Sequence, residues 1–212
     1  MYRTYIERHA RGLLFLMAVL TATVMTAAAA FHIETRARLD MQRHISEEVL
    51  RFHVLANSDS EKDQSLKLTV RDAVLAYLEE ELPSGLDVEE TTQWVREHID
   101  GIETVSRQAL TEAGSDQTVS AAVTTCFFPD KTYGDVTFPA GNYEALRVEL
   151  GAARGHNWWC VLYPNLCFLD AANAVVPDEG KEQLKNVLTE EEYSSITATS
   201  DFEISWFFWK GK

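Results

Sequence analysis

Between Leu50 and Ala56 the chain reads LRFHVLA, with Leu50, Phe52, Val54 and Ala56 on one side and Arg51, His53 and Leu55 on the other. A period of two predicts a strand with one apolar and one polar-tinged face. Asn57-Ser58-Asp59-Ser60 breaks it. Ser58 with Glu61, or Ser60 with Asp63, supplies a capping box, so a helix is expected next. Its apolar stripe is Leu66, Val70, Ala73, Val74, Tyr77 and Leu78, at helical spacing. Pro83-Ser84-Gly85 stops it. A second helix is predicted from Asp87, capped against Glu90, with Trp94, Val95, Ile99, Ile102, Val105 and Ala109 on its apolar face and Gly114 at its close.

Three further alternating or β-branched stretches follow: Gln117–Phe128, Asn142–Leu150 and Trp158–Tyr163. The pattern predicts an antiparallel meander, with Gly151 to Gly155 as a tight loop and Pro164 ending the last strand. The expected fold class is α+β: two amphipathic helices packed on a mostly antiparallel four- to five-stranded sheet. The thirteen residues Pro129–Gly141 are long for a hairpin connection and are expected to be an ordered, functional loop. Further on, Gly180–Leu188 reads as a short helix and Thr189–Glu192 repeats the capping-box pattern. Asp201–Trp209 (DFEISWFFW) reads as a last, aromatic strand.

The N-terminus has a different pattern. No Asp, Glu, Lys or Arg stands between Arg11 and Glu34, and Arg3, Arg8 and Arg11 precede that apolar run. This is the plan of a secretory signal or, at about 20 residues, of an uncleaved anchor. The expected organisation is a signal or membrane helix at 1–33, a stalk at 34–48 and one extracytoplasmic domain at 49–212. The 212 residues carry a net charge of −14; residues 1–33 contribute +2, leaving −16 on the rest. A body that acidic repels phosphate backbones and anionic lipid headgroups, so nucleic acid is not an expected partner.

Export makes disulfides possible. The cysteines are three, Cys126, Cys160 and Cys167, so one is left over. Cys160–Cys167, seven apart across Pro164, is the preferred pair; pairing with Cys126 and three free thiols remain alternatives. Neither a C-x-x-C pair nor a zinc-type histidine spacing is present. The densest polar group is His53, Asn57, Ser58, Asp59 and Asp63, at a strand end. A His with an Asp can act as general base, and Ser58 can be cast as a nucleophile, but no glycine elbow surrounds it. Capping of the following helix explains the same residues more simply. The adjacent Trp158 and Trp159 point to opposite faces of their strand, one toward the core and the other open to a partner.

Two segments resemble a known family. LRFHVLANSDSEKDQSLKLTVRDAVL (Leu50–Leu75) and FPDKTYGDVTFPAGNYEALRVELGAARGHNWWCVLYPNLCFLD (Phe128–Asp170) resemble the two signatures of stage II sporulation protein R. The resemblance implies a secreted signalling protein, not an enzyme, made in the forespore and exported into the space between two membranes. There it would activate a membrane-embedded aspartic protease that processes a sigma factor precursor. No catalytic residue, cofactor or small-molecule substrate comes with it. His53, Asn57, Ser58, Asp59, Asp63, Tyr133 and Trp158 are the candidate partner-binding residues. The competing reading is an extracytoplasmic hydrolase using His53 with Ser58 or Asp59.

Overall fold

The computed structural model describes residues 2–167, 176 and 178–197, without the side chains of 2–9, 11 and 179. The predicted strand at Asp201–Trp209 lies outside the described residues. The chain divides into two compact units, 1–41 and 42–212. The first unit consists of helix α1 (Tyr2–Glu47) up to Met41. From Gly12 this helix is long and apolar enough to cross a membrane. The segment read as a stalk is helical to Glu47, and the second unit already begins at Gln42, with Ile45 fully buried.

The second unit is α+β, as the pattern predicts. Its strands are β1 (Leu50–Leu55), β2 (Val119–Phe128), β5 (Gly141–Leu150) and β6 (Asn157–Tyr163), in the order β2-β5-β1-β6. β5 is antiparallel to β2, and β6 is antiparallel to β1; β1 and β5 are parallel. The sheet is therefore mixed, and the expected meander is split. β1 sits between β5 and β6, because the link from Gly151 to His156 crosses over its end. That link must span two strand spacings, roughly 10 Å, which a tight hairpin turn cannot do. Gly155 N–H donates to the Ala56 carbonyl at 2.9 Å and Arg154 N–H to that of Asn57 at 3.3 Å, which stitch the crossing to the end of β1. Gly151 and Ala153 take positive φ there, 56° and 51°.

Helix α2 (Glu61–Glu81) buries Leu66, Val70, Val74 and Leu78 of the predicted stripe and leaves Ala73 and Tyr77 half-buried. Of the two cap registers, the structure uses the second: Asp63 N–H donates to the Ser60 Oγ at 3.2 Å. The Asp87–Glu90 box forms as predicted. The single helix predicted after it is two, α3 (Val88–Glu97) and α4 (Ile99–Glu112). His98, at φ −107° and ψ 14°, separates them, and its ring stacks on Trp94 at 3.7 Å. Periodicity survives the break because one residue of offset keeps Val95, Ile102, Ala109 and Leu110 on the buried side.

These helices pack on one face of the sheet, against Leu50, Phe52, Val54, Leu146, Val148, Leu150 and Leu162. The expected long loop holds a small hairpin, β3 (Lys131–Tyr133) and β4 (Val136–Phe138). Its two-residue turn has Gly134 at φ 58° and Asp135 outside the positive region, the preference of a II′ turn. The last described elements are α5 (Asp178–Val187) and α6 (Glu190–Thr197), the latter entered through the Thr189–Glu192 box.

A β-carbon at Gly155 would run into the backbone carbonyl of Ser58, which cannot swing aside. Gly155→Ala is expected to lower stability by about 1–3 kcal/mol. Urea unfolding checks it: a lower midpoint with an unchanged slope is the expected result.

Candidate functional site

The polar turn Asn57–Asp63 is bonded inward. Asn57 Nδ2 donates to Asp63 Oδ2 at 2.8 Å, Ser58 Oγ donates to the same oxygen, and Gln117 Nε2 donates to Asp63 Oδ1 at 2.7 Å. These donors, Ser58 first, hold the Asp63 carboxyl down at about 2. Asn57 Oδ1 accepts from Ala152 N–H at 2.8 Å, so one side chain ties the α2 cap to the β5–β6 crossing. Asp59 pairs with His156, accepting from its backbone N–H at 2.6 Å and contacting Nδ1. Those two bonds lower the Asp59 carboxyl. Lys67, buried on α2, donates to the Gln64 side chain and to the His156 carbonyl. Four of the candidate partner-binding residues thus form the joint between β1, α2 and the crossing, and of these Asp59 is exposed.

His53 lies on the opposite face of the sheet from the helices. It is 3% exposed, stacked on Trp159 at 4.9 Å and tilted against Phe128 at 5.2 Å. Its Nε2 is 3.4 Å from Cys126 Sγ, and Nδ1 has no hydrogen-bond partner. Burial first, then the charges of Arg147 and Arg51, press its pKa down to about 3. Burial also raises the Cys126 thiol. The contact is therefore thiol against neutral imidazole, without the thiolate that nucleophilic catalysis needs. The hydrolase set is not assembled among the described residues: His53 meets Cys126, Ser58 meets Asp63 and Asp59 meets His156.

Arg51, one register step away on the same face, is 0% exposed. Its Nε donates to the Cys160 carbonyl at 3.1 Å and Nη2 to the Tyr133 hydroxyl at 3.0 Å. Four rings surround the guanidinium: Phe128 at 4.4 Å, Tyr143 at 4.9 Å, Phe138 at 5.2 Å and Tyr133 at 5.8 Å. No carboxylate pairs with it among the described residues. Tyr133, a candidate contact, is thus part of an internal cage, and burial raises its hydroxyl. Trp158 faces the helices, edge-on to Phe52 at 5.5 Å, with Arg71 at 5.2 Å over its ring. Trp159 is the tryptophan beside His53. Alternation in LRFHVL placed Arg51 and His53 together, but nothing local showed that both faces of that strand are covered.

All three cysteines are thiols in this structure. Cys160 and Cys167 are neighbours: both donate to the Val161 carbonyl, at 3.7 and 3.0 Å. Burial and the adjacent Cys160 raise the Cys167 thiol. Two open clefts, of about 930 and 450 Å³, flank the helix layer, and none of the seven candidate contact residues lines either. No cluster of three metal-ligating side chains occurs among the described residues.

The description "Stage II sporulation protein R (spore_II_R)" names the family whose profile matches residues 46–173. Those bounds take in β1, the Asn57–Asp63 joint, the Arg51 cage and both vicinal cysteines. The chain belongs to the stage II sporulation protein R family. A relative with that name from Bacillus subtilis (strain 168) is 38% identical over 159 residues, 74% of this chain and 70% of the relative. No solved structure matches the chain. Both segments singled out in the sequence fall within the matched range, and this is a sporulation protein by family.

Acid should weaken the fold in two steps. The His53 pKa lies below its unfolded value of 6.5, so the unfolded chain binds the extra proton first. That contribution is complete above pH 6.5 and drains away as pH falls toward about 3. The Asp63 contribution is complete above its unfolded value of 3.8 and fades toward about 2. Melting temperatures of the wild type and His53→Phe between pH 7 and pH 2 should separate the two: the variant should lose the upper step and keep the lower.

Proposed function

We propose that this chain is an exported messenger of sporulation. It crosses the forespore membrane, is held by or cut from its N-terminal helix, and acts in the space between two membranes. There it binds the external face of a membrane-embedded aspartic protease and favours the protease's active state. The protease then processes the precursor of a mother-cell sigma factor. The observation that carries this reading is the family membership, which covers both signature segments.

Two features of the chain support it. An apolar helix long enough to span a bilayer stands at the N-terminus. The polar residues that could have been catalytic are engaged apart from one another, Ser58 with Asp63, Asp59 with His156 and His53 with Cys126. A ligand shifts its receptor only by its difference in affinity for the two receptor states. Such a difference needs a shaped surface and no covalent chemistry. The contact surface we assign is two patches, exposed Asp59 and His156 beyond the outer end of β1, and Thr132 and Gly134 on the hairpin that packs near its other end. His53, Asn57, Ser58, Asp63 and Tyr133 hold that surface in place from beneath, and Trp158 anchors β6 to the core.

Co-expression with the protease and its precursor substrate in a non-sporulating host tests the reading. The full chain should give processed precursor; no processing despite export of the chain would end it. In the same assay, His53→Ala and Ser58→Ala should give losses that extra messenger restores. A hydrolase would instead lose orders of magnitude that extra protein cannot recover.

The vicinal thiols give a separate expectation. Material exported into an oxidising compartment should carry Cys160–Cys167 as a disulfide, leaving Cys126 without a partner in its own chain. Titration of the unfolded, unreduced protein should then return no more than one thiol per chain; three would show that the bridge does not form.

A further inference from the structure

β2 is an outer strand of the sheet, and its free edge is treated unevenly along its length. Ala121 N–H points away from β5 and donates to Glu103 Oε1 at 3.0 Å, and Glu103 is held by Arg107. In an antiparallel ladder such outward groups recur at every second residue. Val123, Thr125 and Phe127 therefore share the orientation of Ala121. The Val123 carbonyl has the Arg96 guanidinium 3.5 Å away. Pro129, the next residue in this series, has no N–H to offer. Thr125 and Phe127 remain, and among the described residues no hydrogen bond reaches their outward N–H and C=O groups. Both side chains are exposed, Phe127 at 62%. An edge usually carries charge, proline or cover along its whole length. Here the cover stops at Val123, proline resumes at 129, and the open window between them is centred on Cys126.

We propose that this window is a homodimer interface, in which two copies of the chain pair β2 to β2 in antiparallel fashion about Cys126. The occupant follows from the window's symmetry. With Cys126 opposite Cys126 of the second copy, Thr125 faces Phe127 of the second copy as a hydrogen-bonded pair, and the reverse holds by the two-fold. Every open donor then meets an open acceptor, giving four bonds. The groups shielded by Glu103 and Arg96 fall outside the paired stretch. Phe127 lies across the join on Thr125 of the second copy, covering its exposed ring. The two sheets become one of eight strands, with α2, α3 and α4 of both copies on one side. Cys126 occupies the non-hydrogen-bonded centre, where opposed α-carbons stand about 4.5 Å apart, inside the range a disulfide spans. This inference rests on the edge alone and stands or falls apart from the messenger reading.

The test uses the full chain in detergent, reduced, then treated with the thiol oxidant diamide. Two Cys126 thiols give one disulfide, and their two protons and two electrons pass to the diazene, which becomes a hydrazine. The expected product on a non-reducing gel is a dimer that yields a Cys126–Cys126 linked peptide by mass and is absent in Cys126→Ser. Thr125→Pro removes one outward N–H at a place where an outer strand tolerates proline. Phe127→Asp removes the cross-join packing and adds a charge. Each should slow crosslinking about tenfold or more, while near-ultraviolet dichroism keeps its native signature. A linked peptide that forms at an unchanged rate in Thr125→Pro would overturn the proposal, since the thiols then meet without the ladder. So would a chain that gives no linked peptide, whether the Thr125 and Phe127 amides of the monomer exchange freely with deuterium or are protected by another part of the same chain.

Discussion

A guanidinium with no carboxylate partner among the described residues holds the second face of the sheet together. Removing an unpaired cation from water costs several kcal/mol unless something replaces its hydration. Around Arg51 the replacement is four aromatic faces and two hydrogen bonds, drawn from four places in the chain. Phe128 comes from β2, Tyr143 from β5, Tyr133 and Phe138 from the hairpin, and the Cys160 carbonyl from β6. If any of these elements were elsewhere, the charge would be buried and uncompensated. The cage thus fixes a hairpin that would otherwise be a marginal two-stranded unit on its own. It also explains why β1 is buried on both sides although three of its six residues are not on the apolar face.

The other end of β1 is organised by Asp63. Its carboxylate accepts from Asn57, Ser58 and Gln117, while its own N–H completes the helix cap through Ser60. Asn57 then carries the connection to the crossing loop. A capping motif thereby does two jobs: it starts α2, and it locks the link that puts β6 on the far side of β1. Sporulation protein R relatives are matched across this whole region. The joint and the cage are rigid supports at the two ends of one central strand. Between them His53, kept neutral by burial and by two nearby arginines, fills space beneath Trp159 and takes no proton near neutral pH.

This arrangement suits a protein that works by being recognised. Polar side chains that resemble catalytic groups in the sequence are used up in positioning backbone. What is left at the surface is shape: a hairpin, an exposed Asp59–His156 pair and an outer strand with a short open window. The body beyond residue 33 carries a net charge of −16, a balance that favours solubility.

Local pattern determined a good deal. Period-two and helical spacing located β1, α2, β2 and β5, and a run of β-formers located β6, because apolar residues recur at the period of the face each element turns to the core. The Asp87–Glu90 box and Gly114 set helix ends through backbone groups that any helix must satisfy. Membership of a family followed from two long segments that needed no structure. Tertiary contacts decided the rest. The strand order β2-β5-β1-β6 depended on the crossing loop bonding to the end of β1, a pairing across about a hundred residues that no window of sequence contains. The break at His98 left the apolar period intact and so left no trace in it. The meeting of Cys126 with His53, and the ring cage about Arg51, joined residues from separate strands. Sequence reports what each segment wants to bury; only the assembled sheet settles against whom, because hydrophobic patterning is local and one-dimensional while charge compensation inside a core is not.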